Sequence, residues 1–467
     1  MGQAVKSENK MGVMPVNKLL VSMSTPMIIS MLVQACYNIV DSLFVAKIQD
    51  PSAEGSAGMA ALSALGMAFP VQTLLIAFGV GTGVGVNALL SRALGEKDEK
   101  TVHKAANNGI FLSFLNFIVF FIVGVFFSRP FFLLQKAEGL TLEYGVTYLT
   151  IVCAGSLGMY SQFIFERILQ STGRTLHTMF TQSIGAVINI ILDPILIFGW
   201  FGLPELRVAG AAIATIIGQF VAAGLALYLN LKCNKDVKLS LKGFKPDWGI
   251  IAKIYAVGLP SIIMQSIGSV MQFFMNRLLK GLNPDSVAVF TVYFKLQSLF
   301  FMPIFGLNNG MVPILAFNYG AKNRKRMLKV IKCTMMYAFV FMFIGFLGFE
   351  VIPDKLLLIF DTGDDSLLKL GVPALRIIGF HYLLAWFCII GGSVFQALGN
   401  GIFSLIVSVA RQLVVLVPAA YILAYFGGLD LVWWCFPIAE LMSLAVTLFF
   451  VFNIYRKIIS KVPEGVN

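Results

Sequence analysis

Long apolar segments separated by short polar loops recur along the whole chain. Each segment is long enough to cross a bilayer, since about 20 residues in a helix span the hydrocarbon core. We predict twelve spans, at 20–46, 57–90, 108–128, 146–171, 178–200, 208–231, 250–279, 287–317, 330–352, 372–398, 402–427 and 431–455. The pattern therefore predicts an all-α polytopic membrane protein with twelve transmembrane helices.

The second half of the chain repeats features of the first half at a nearly constant offset. Pro26 early in span one matches Pro260 early in span seven, and Gly85 in span two matches Gly310 in span eight. A repeat of six spans in the same orientation predicts two pseudo-symmetric six-helix bundles around a central cavity. The predicted domains are an N-terminal bundle at 1–231, a cytoplasmic linker at 232–249 and a C-terminal bundle at 250–467.

Composition and charge support a membrane protein and orient it. The chain is 58% hydrophobic and 12% charged, whereas soluble domains carry about 25% charged residues, so a soluble enzyme is excluded. The net charge of +12 comes from loops between apolar segments, so we expect a lipid bilayer and no nucleic acid as partner. Lys and Arg concentrate in alternate loops, which predicts a multi-pass protein of the cytoplasmic membrane with both termini in the cytoplasm.

Cysteine and histidine give no sign of a redox or metal site. The six cysteines are scattered and the three histidines are isolated. The glycine-rich segment GVGTGVG lies inside a span and is not followed by the GK[ST] of a phosphate-binding loop. We therefore expect no disulfide, no metal and no cofactor, and we predict that the chain is not an enzyme.

Three carboxylates lie inside apolar segments of the first half: Asp41, Glu166 and Asp193. Each costs roughly 2.5–3.5 kcal/mol to insert at the centre of a bilayer, so such residues usually have a function. Gln34, Asn38 and Asp41 are spaced to share one helix face. A desolvated Asp41 that accepts either a proton or a cationic substrate would be the minimum machinery of an antiporter. The alternative is an interfacial aspartate that caps a polar contact.

The other two acids have alternatives of the same kind. Asn189 lies one turn before Asp193, and Pro194 frees backbone carbonyls that can coordinate an ion. A kink whose polar groups satisfy one another is the alternative. Glu166 and Gln170 share a face near the cytoplasmic end of span four, where an internal pair of Glu166 with Arg167 is the alternative.

Aromatic and methionine side chains could line an apolar cleft that stacks on flat organic cations. Tyr37, Met67 and Tyr293 are candidates for that role. Together with the acids and with Asn276 of span seven, they form the predicted substrate contacts. The complete set is Glu166, Gln34, Tyr37, Met67, Gln170, Tyr293 and Asn276.

Several motifs resemble those of one transporter family over essentially the whole chain. They are QACYNIVDSLFVA, GTGVGVNALLSRALGE, FERILQSTG, NIILDPILIFG, MVPILAFNYGAKN and VFQALGN. Together they resemble the multidrug and toxic compound extrusion (MATE) family, in its bacterial MepA-type branch. The resemblance implies a cation-coupled antiporter that exports amphipathic, mostly cationic drugs and so confers antibiotic resistance.

The resemblance also implies roles for individual residues. Asp41 with Asn38, and Asp193 with Asn189, would bind the coupling ion, while Glu166 would attract cationic drugs. Some relatives bind a cation through acids in spans seven and ten, which this sequence lacks, so protons are favoured over sodium. The alternatives are a sodium-coupled exporter, a lipid-linked oligosaccharide flippase of the same superfamily, or a membrane scaffold. We expect the chain to act as a monomer.

Overall fold

The computed structural model describes residues 9–49, 57–240, 244–283, 285–359 and 365–464. Every regular element in these ranges is a helix. The α-helices of the first half are α1 (Lys10–Val13), α2 (Val16–Ala46), α3 (Ala57–Gly95), α4 (Glu99–Ile122), α5 (Ser128–Leu134), α6 (Gly139–Ala154), α7 (Ser156–Ser171), α8 (Thr175–Ile197) and α9 (Arg207–Cys233). Those of the second half are α10 (Trp248–Leu282), α11 (Asp285–Gly320), α12 (Arg324–Val351), α13 (Pro353–Leu358), α14 (Asp365–Gly379), α15 (Tyr382–Ala397), α16 (Gly401–Val409), α17 (Val417–Val432) and α18 (Cys435–Lys457).

The helices confirm the twelve predicted spans. In the described ranges, ten helical segments are long and apolar enough to cross a membrane, and two bent pairs bring the total to twelve. The pair α6–α7 bends by 44° and the pair α14–α15 by 53°. These bends divide the fourth and tenth predicted spans. The hydropathy pattern shows each span as continuous, because it records the polarity of the residues and not the direction of the helix axis.

Two spans contain a π-helical segment that the sequence pattern did not predict. One segment, Val123–Phe127, joins α4 to α5, and the other, Ala410–Leu416, joins α16 to α17. Widening a helix alters its backbone hydrogen bonds. In the first segment the Gly124 carbonyl accepts from the hydroxyls of Ser128 and Thr150, at 2.6 and 3.2 Å. Side chains thus stabilise the irregular turn.

The chain forms two compact units, which we call the Asp41 unit and the Glu440 unit. The Asp41 unit contains 29–94 and 98–258, and the Glu440 unit contains 9–28, Gly95–Lys97 and 259–464. Helices α2 and α10 each begin in one unit and end in the other, close to Pro26 and Pro260 respectively. The predicted partition at 231/232 and 249/250 follows chain order instead, and it stays a prediction.

Equivalent glycines make equivalent close contacts in the two units. A Cβ on Gly85 of α3 would overlap the Ile254 carbonyl of α10. A Cβ on Gly310 of α11 would overlap Ser24 of α2. Helices in membranes approach closely where residues are small. Span two thus contacts span seven in the same way that span eight contacts span one. The repeat in the sequence is also a repeat in helix packing.

The core of the Asp41 unit fixes the rotation of α7, which carries Glu166. Tyr160 of α7 is fully buried, and its hydroxyl donates to the Leu75 carbonyl at 3.1 Å. Its ring lies 6.0 Å from the ring of Phe120, between centroids. A buried aromatic side chain with a satisfied hydroxyl is a strong anchor. The face of α7 opposite this anchor is left for polar residues.

The segment before α10 is attached to the start of α4. Asp247 caps α10 by accepting from the backbone amides of Gly249 and Ile250, at 3.0 and 3.2 Å. The Lys104 ammonium lies 2.7 Å from the same carboxylate. This hydrogen bond and the cap hold the pKa of Asp247 below its usual range. The Asp247 amide also donates to Asn108 at 3.0 Å.

Candidate functional site

The second half of α2 carries the first set of predicted site residues. Gln34 and Tyr37 line a cavity of the Asp41 unit, and Asp41 follows one turn later. This spacing keeps the three side chains near one face of the helix. The backbone of Asn38 belongs to α2, but its side chain lies outside the described residues.

Helix α8 places the second acid. Asp193 is completely buried, and its Oδ1 accepts from the Asn189 amide at 3.4 Å. The same amide donates to the Thr215 hydroxyl of α9 at 3.2 Å. Helices α8 and α9 approach closely enough for this contact because Gly185 faces Gly218 across their interface. The Asn189 side chain is therefore fixed from two helices.

Asp41 and Asp193 come together although they are 152 residues apart in sequence. Their carboxyl groups lie near enough to interact electrostatically. Two ionised carboxylates this close repel each other, and a proton on either one removes that repulsion. Tyr37 lies near enough to interact electrostatically with both groups. The pair is therefore a place where α2 and α8 can hold an exchangeable proton.

The pair also has unused hydrogen-bonding capacity. Asp41 Oδ1 and Asp193 Oδ2 are buried, and neither has a partner among the described side chains. Buried polar atoms normally have a partner in the protein or in ordered water. Among the ion pairs between described residues, none involves Asp41 or Asp193. The arrangement suits the binding of a proton, a cation or water.

Glu166 occupies a separate polar cluster between α7 and α8. Its Oε1 accepts from Gln162 at 3.0 Å and from Thr181 at 2.9 Å. Its Oε2 accepts from Gln182 at 2.6 Å. Glu166 is 1% exposed, and the three donors compensate for the loss of hydration of its charge. A pair of Glu166 with the adjacent Arg167, the alternative in the sequence, is thus not the main contact.

A cavity of about 110 Å³ lies within the Asp41 unit. A cavity of this volume holds several waters, since one water needs roughly 10–15 Å³ on the same measure. Its polar wall comes from four helices, α2, α7, α8 and α9, whereas the sequence pattern groups only residues on one face of a single helix. The polar residues on the wall are Ser30, Gln34, Tyr37, Gln162, Gln182, Asn189, Thr215 and Gln219.

Sequence reasoning identified Gln34 but missed the other three glutamines among these lining residues. Gln162 lies four residues before Glu166 on α7, and Gln182 and Gln219 lie inside apolar helices. The signal that identified the acids would also have identified these amides, because an uncharged polar side chain in a span needs a partner as well.

Two predicted substrate residues of the Asp41 unit lie away from this cavity wall. Gln170 is buried, and its Oε1 accepts from the Arg167 guanidinium at 2.7 Å. Met67 is partly buried and packs against the hydrophobic core of the unit. Both side chains therefore contribute to packing within the Asp41 unit.

The remaining predicted residues, Tyr293 and Asn276, belong to the Glu440 unit. Tyr293 is fully buried in an aromatic cluster, with the Phe436 ring 5.4 Å away, and Asn276 is exposed. The same unit contains a buried ion pair in which Arg411 Nη1 lies 3.3 Å from Glu440 Oε2. The Glu440 unit therefore balances its internal acid with a cation.

A polytopic helical protein with a buried carboxyl pair beside a polar cavity has the features of a membrane transporter. The MatE family model matches residues 26–195 and 260–422. The chain belongs to this family, the MATE transporters, as the sequence motifs predicted.

Relatives and solved structures agree with that assignment. The chain is 27% identical over 435 residues to the multidrug export protein MepA of Staphylococcus aureus strain MRSA252, covering 93% of each chain. It is 26% identical over 441 residues to MepA of Staphylococcus haemolyticus, covering 94% of each. These relatives are export proteins and not enzymes, which confirms another prediction.

An outward-facing MATE family transporter of the MOP superfamily is similar in structure, with a TM-score of 0.88 and 26% identity. The alignment covers 98% of this chain and 99% of that one. A MOP superfamily transporter from Pyrococcus furiosus, described as having a binding pocket of reverse polarity, has a TM-score of 0.86 at 26% identity and the same coverage. The protein is thus a multi-span MATE-type efflux transporter for organic small molecules.

Proposed function

We propose that this transporter exports amphipathic organic cations across the cytoplasmic membrane in exchange for protons. The close carboxyl pair of Asp41 and Asp193, with one buried and unpartnered oxygen on each residue, carries the proposal. Burial favours the neutral form of a carboxyl group, whereas a nearby cation favours the charged form. A proton and a cationic substrate therefore compete for the same negative charge, and this competition couples their opposite movements.

The proposed cycle begins with a cation bound from the cytoplasm while the pair is deprotonated. The transporter then exposes the cation to the outside, and protonation of Asp41 or Asp193 removes the attracting charge. The substrate leaves, and the protonated transporter returns and releases its proton inside. The name of the MepA relatives, multidrug export protein, supports the direction of drug movement.

The proposed residue roles follow this cycle. Asn38 and Asn189 flank the coupling acids, and Asn189 donates directly to Asp193. The proposed substrate-binding residues are Gln34, Tyr37, Met67, Glu166 and Gln170 of the Asp41 unit and Tyr293 and Asn276 of the Glu440 unit, with Glu166 acting on the substrate from behind the cavity wall. Gln34 and Tyr37 have the most direct support, because both side chains line the cavity.

The proposed topology completes this function. The bundles 1–231 and 250–467 act as lobes joined by a cytoplasmic linker at 232–249, with both termini in the cytoplasm. Basic loops such as 322–329 support this orientation through their attraction to the cytoplasmic side. We propose a monomer as the transporting unit.

Flux of tetraphenylphosphonium into or out of proteoliposomes tests the proposal. Wild type and Asp41→Asn are compared under an imposed proton gradient and, separately, an imposed sodium gradient. We expect proton-driven flux in wild type and its loss in the variant. Flux driven by sodium alone would show that sodium, and not the proton, is the coupling ion. If the folded protein gave no flux under either gradient, the result would favour a flippase.

A further inference from the structure

Glu166 lies behind the cavity wall of the Asp41 unit and not on it. The wall includes Gln162 and Gln182, whereas Glu166 is buried beneath them and bonded to both. We propose that Glu166 is a positioning residue that turns the amide oxygens of these two glutamines toward the cavity. Resting on the proposed cation export, the inference makes this wall a surface that selects organic cations over organic anions of the same shape.

The chemistry of a carboxylate fixes which end of each amide faces Glu166. An ionised carboxylate only accepts hydrogen bonds, so a bonded amide must present its NH₂ group. Gln162 does so to Oε1 at 3.0 Å, and Gln182 does so to Oε2 at 2.6 Å. The carbonyl oxygen of each amide is then the end directed away from Glu166.

The orientation of Gln182 is fixed a second time from the other side. The Ser30 hydroxyl of α2 donates to Gln182 Oε1, and Ser30 also lines the cavity. A hydroxyl that donates to this atom agrees with the amide orientation required by Glu166. Contacts from α2, α7 and α8 thus hold one amide in one orientation.

The surroundings of Glu166 support a negative charge there. The Thr181 hydroxyl lies 2.9 Å from Glu166 Oε1 and 2.8 Å from the Thr178 carbonyl, so it is a third contact of the carboxylate. Arg167 directs Nη1 to Gln170 at 2.7 Å, and among the described residues the hydrogen bonds to the carboxylate come from Gln162, Thr181 and Gln182. A buried charge with several donors can persist where an unpaired one could not.

This arrangement changes the polarity of the cavity without placing a charge on its surface. Two amide oxygens present the negative ends of their dipoles, and the Tyr37 ring, which also lines the cavity, can face a cation. With a neutral glutamine at position 166, the neighbour could donate as well as accept. The amides of Gln162 and Gln182 would then lose their fixed orientation.

A double-mutant cycle tests whether Glu166 acts through the glutamines. Equilibrium binding of tetraphenylphosphonium is measured on the full chain in nanodiscs, with Glu166→Gln introduced alone and into a Gln162→Met/Gln182→Met background. Alone, Glu166→Gln should weaken binding about tenfold, the size of one charge-assisted hydrogen bond. In the methionine background its effect should fall below about twofold, because coupled residues are non-additive. An equal loss in both backgrounds would show direct attraction and overturn the proposal.

Tetraphenylborate, an anion of the same shape, provides the charge readout. Glu166→Gln should reduce the ratio of the affinity for the phosphonium to the affinity for the borate. An unchanged ratio would contradict the inference. Gln219→Met is the matched control, because it removes an amide from the same wall and should leave the effect of Glu166→Gln undiminished. A smaller effect of Glu166→Gln in the Gln219→Met background would also count against the inference.

Two further results keep the test decisive. If Glu166→Gln does not fold, Gln162→Met alone must weaken phosphonium binding by more than Gln219→Met does, and equal losses would overturn the positioning role. Failure of the proposed function has a different signature. It would appear as phosphonium binding with the expected coupling but without proton-driven export.

Discussion

In the proposed mechanism, the carboxyl pair of Asp41 and Asp193 sets an upper limit on proton-driven accumulation. Each carboxyl group can exchange one proton per cycle, so the pair can exchange no more than two. One proton moving down a pH difference of one unit releases about 1.4 kcal/mol, which supports roughly a tenfold substrate ratio. With the membrane potential clamped at zero, the ratio is thus about tenfold for one proton and at most about 100-fold for two.

Removing Asp193 should lower this limit by one proton, because Asp41 can still exchange its own. Asp193→Asn is nearly isosteric, and its amide can still accept from Asn189 and donate to Asp41, so the packing of α8 is retained. A single exchangeable site then remains, and the steady-state ratio should not exceed about tenfold per pH unit. With Asp41→Asn added, no proton-driven accumulation should remain.

The assay is steady-state distribution of labelled tetraphenylphosphonium in proteoliposomes. Valinomycin with equal potassium on both sides removes the membrane potential, so the charge of the substrate does not contribute. Gly224→Ala serves as the control, because a Cβ at Gly224 meets open space. A single variant that exceeds about tenfold, or a double variant that still accumulates substrate, would refute the two-carboxyl mechanism.

Other predictions concern packing, the internal ion pair and pH. Gly85→Ala should destabilise the protein by about 1–3 kcal/mol through overpacking, against no loss for Gly224→Ala, as measured by thermal unfolding; equal stability would contradict the close contact. Arg411→Met should cost about 3–5 kcal/mol because it leaves Glu440 buried without its cation. Glu440→Gln should lower the free energy of unfolding by less than Arg411→Met, since the Arg411 side chain is 28% exposed and can be hydrated. A larger loss of stability for Glu440→Gln in denaturation experiments would exclude this explanation. Because the pKa of Asp247 is lowered in the folded state, its stabilising effect should be present above the unfolded value of about 3.9 and be lost as pH falls, and Asp247→Asn should flatten that part of the stability curve.

Most of the fold could be predicted from the sequence because a bilayer imposes a simple rule on it. Spans must be apolar over about 20 residues, so the hydropathy pattern located all twelve. The bend between α6 and α7 left no such trace, and neither did the π-helical segment at Val123–Phe127. The π-helical segment is stabilised from another helix, by the hydrogen bond from Thr150 to the Gly124 carbonyl.

The candidate site was predictable in its residues but not in its geometry. The cost of burying a charge identifies Asp41, Glu166 and Asp193 one at a time. The pairing of Asp41 with Asp193 depends on the positions of α2 and α8, which no spacing within one helix contains. The separation of Glu166 from that pair depends on donors from α8, such as Thr181.

The two units treat their internal acids in opposite ways, and this difference bears on which unit can exchange protons. Glu440 is paired with Arg411 at 3.3 Å. Protonating it would break this ion pair and leave water to hydrate the Arg411 guanidinium in its place. Asp41 and Asp193 face each other, and the described residues form no ion pair with either. Gaining or losing a proton there breaks no ion pair, so coupling through the Asp41 unit requires less reorganisation of the helices.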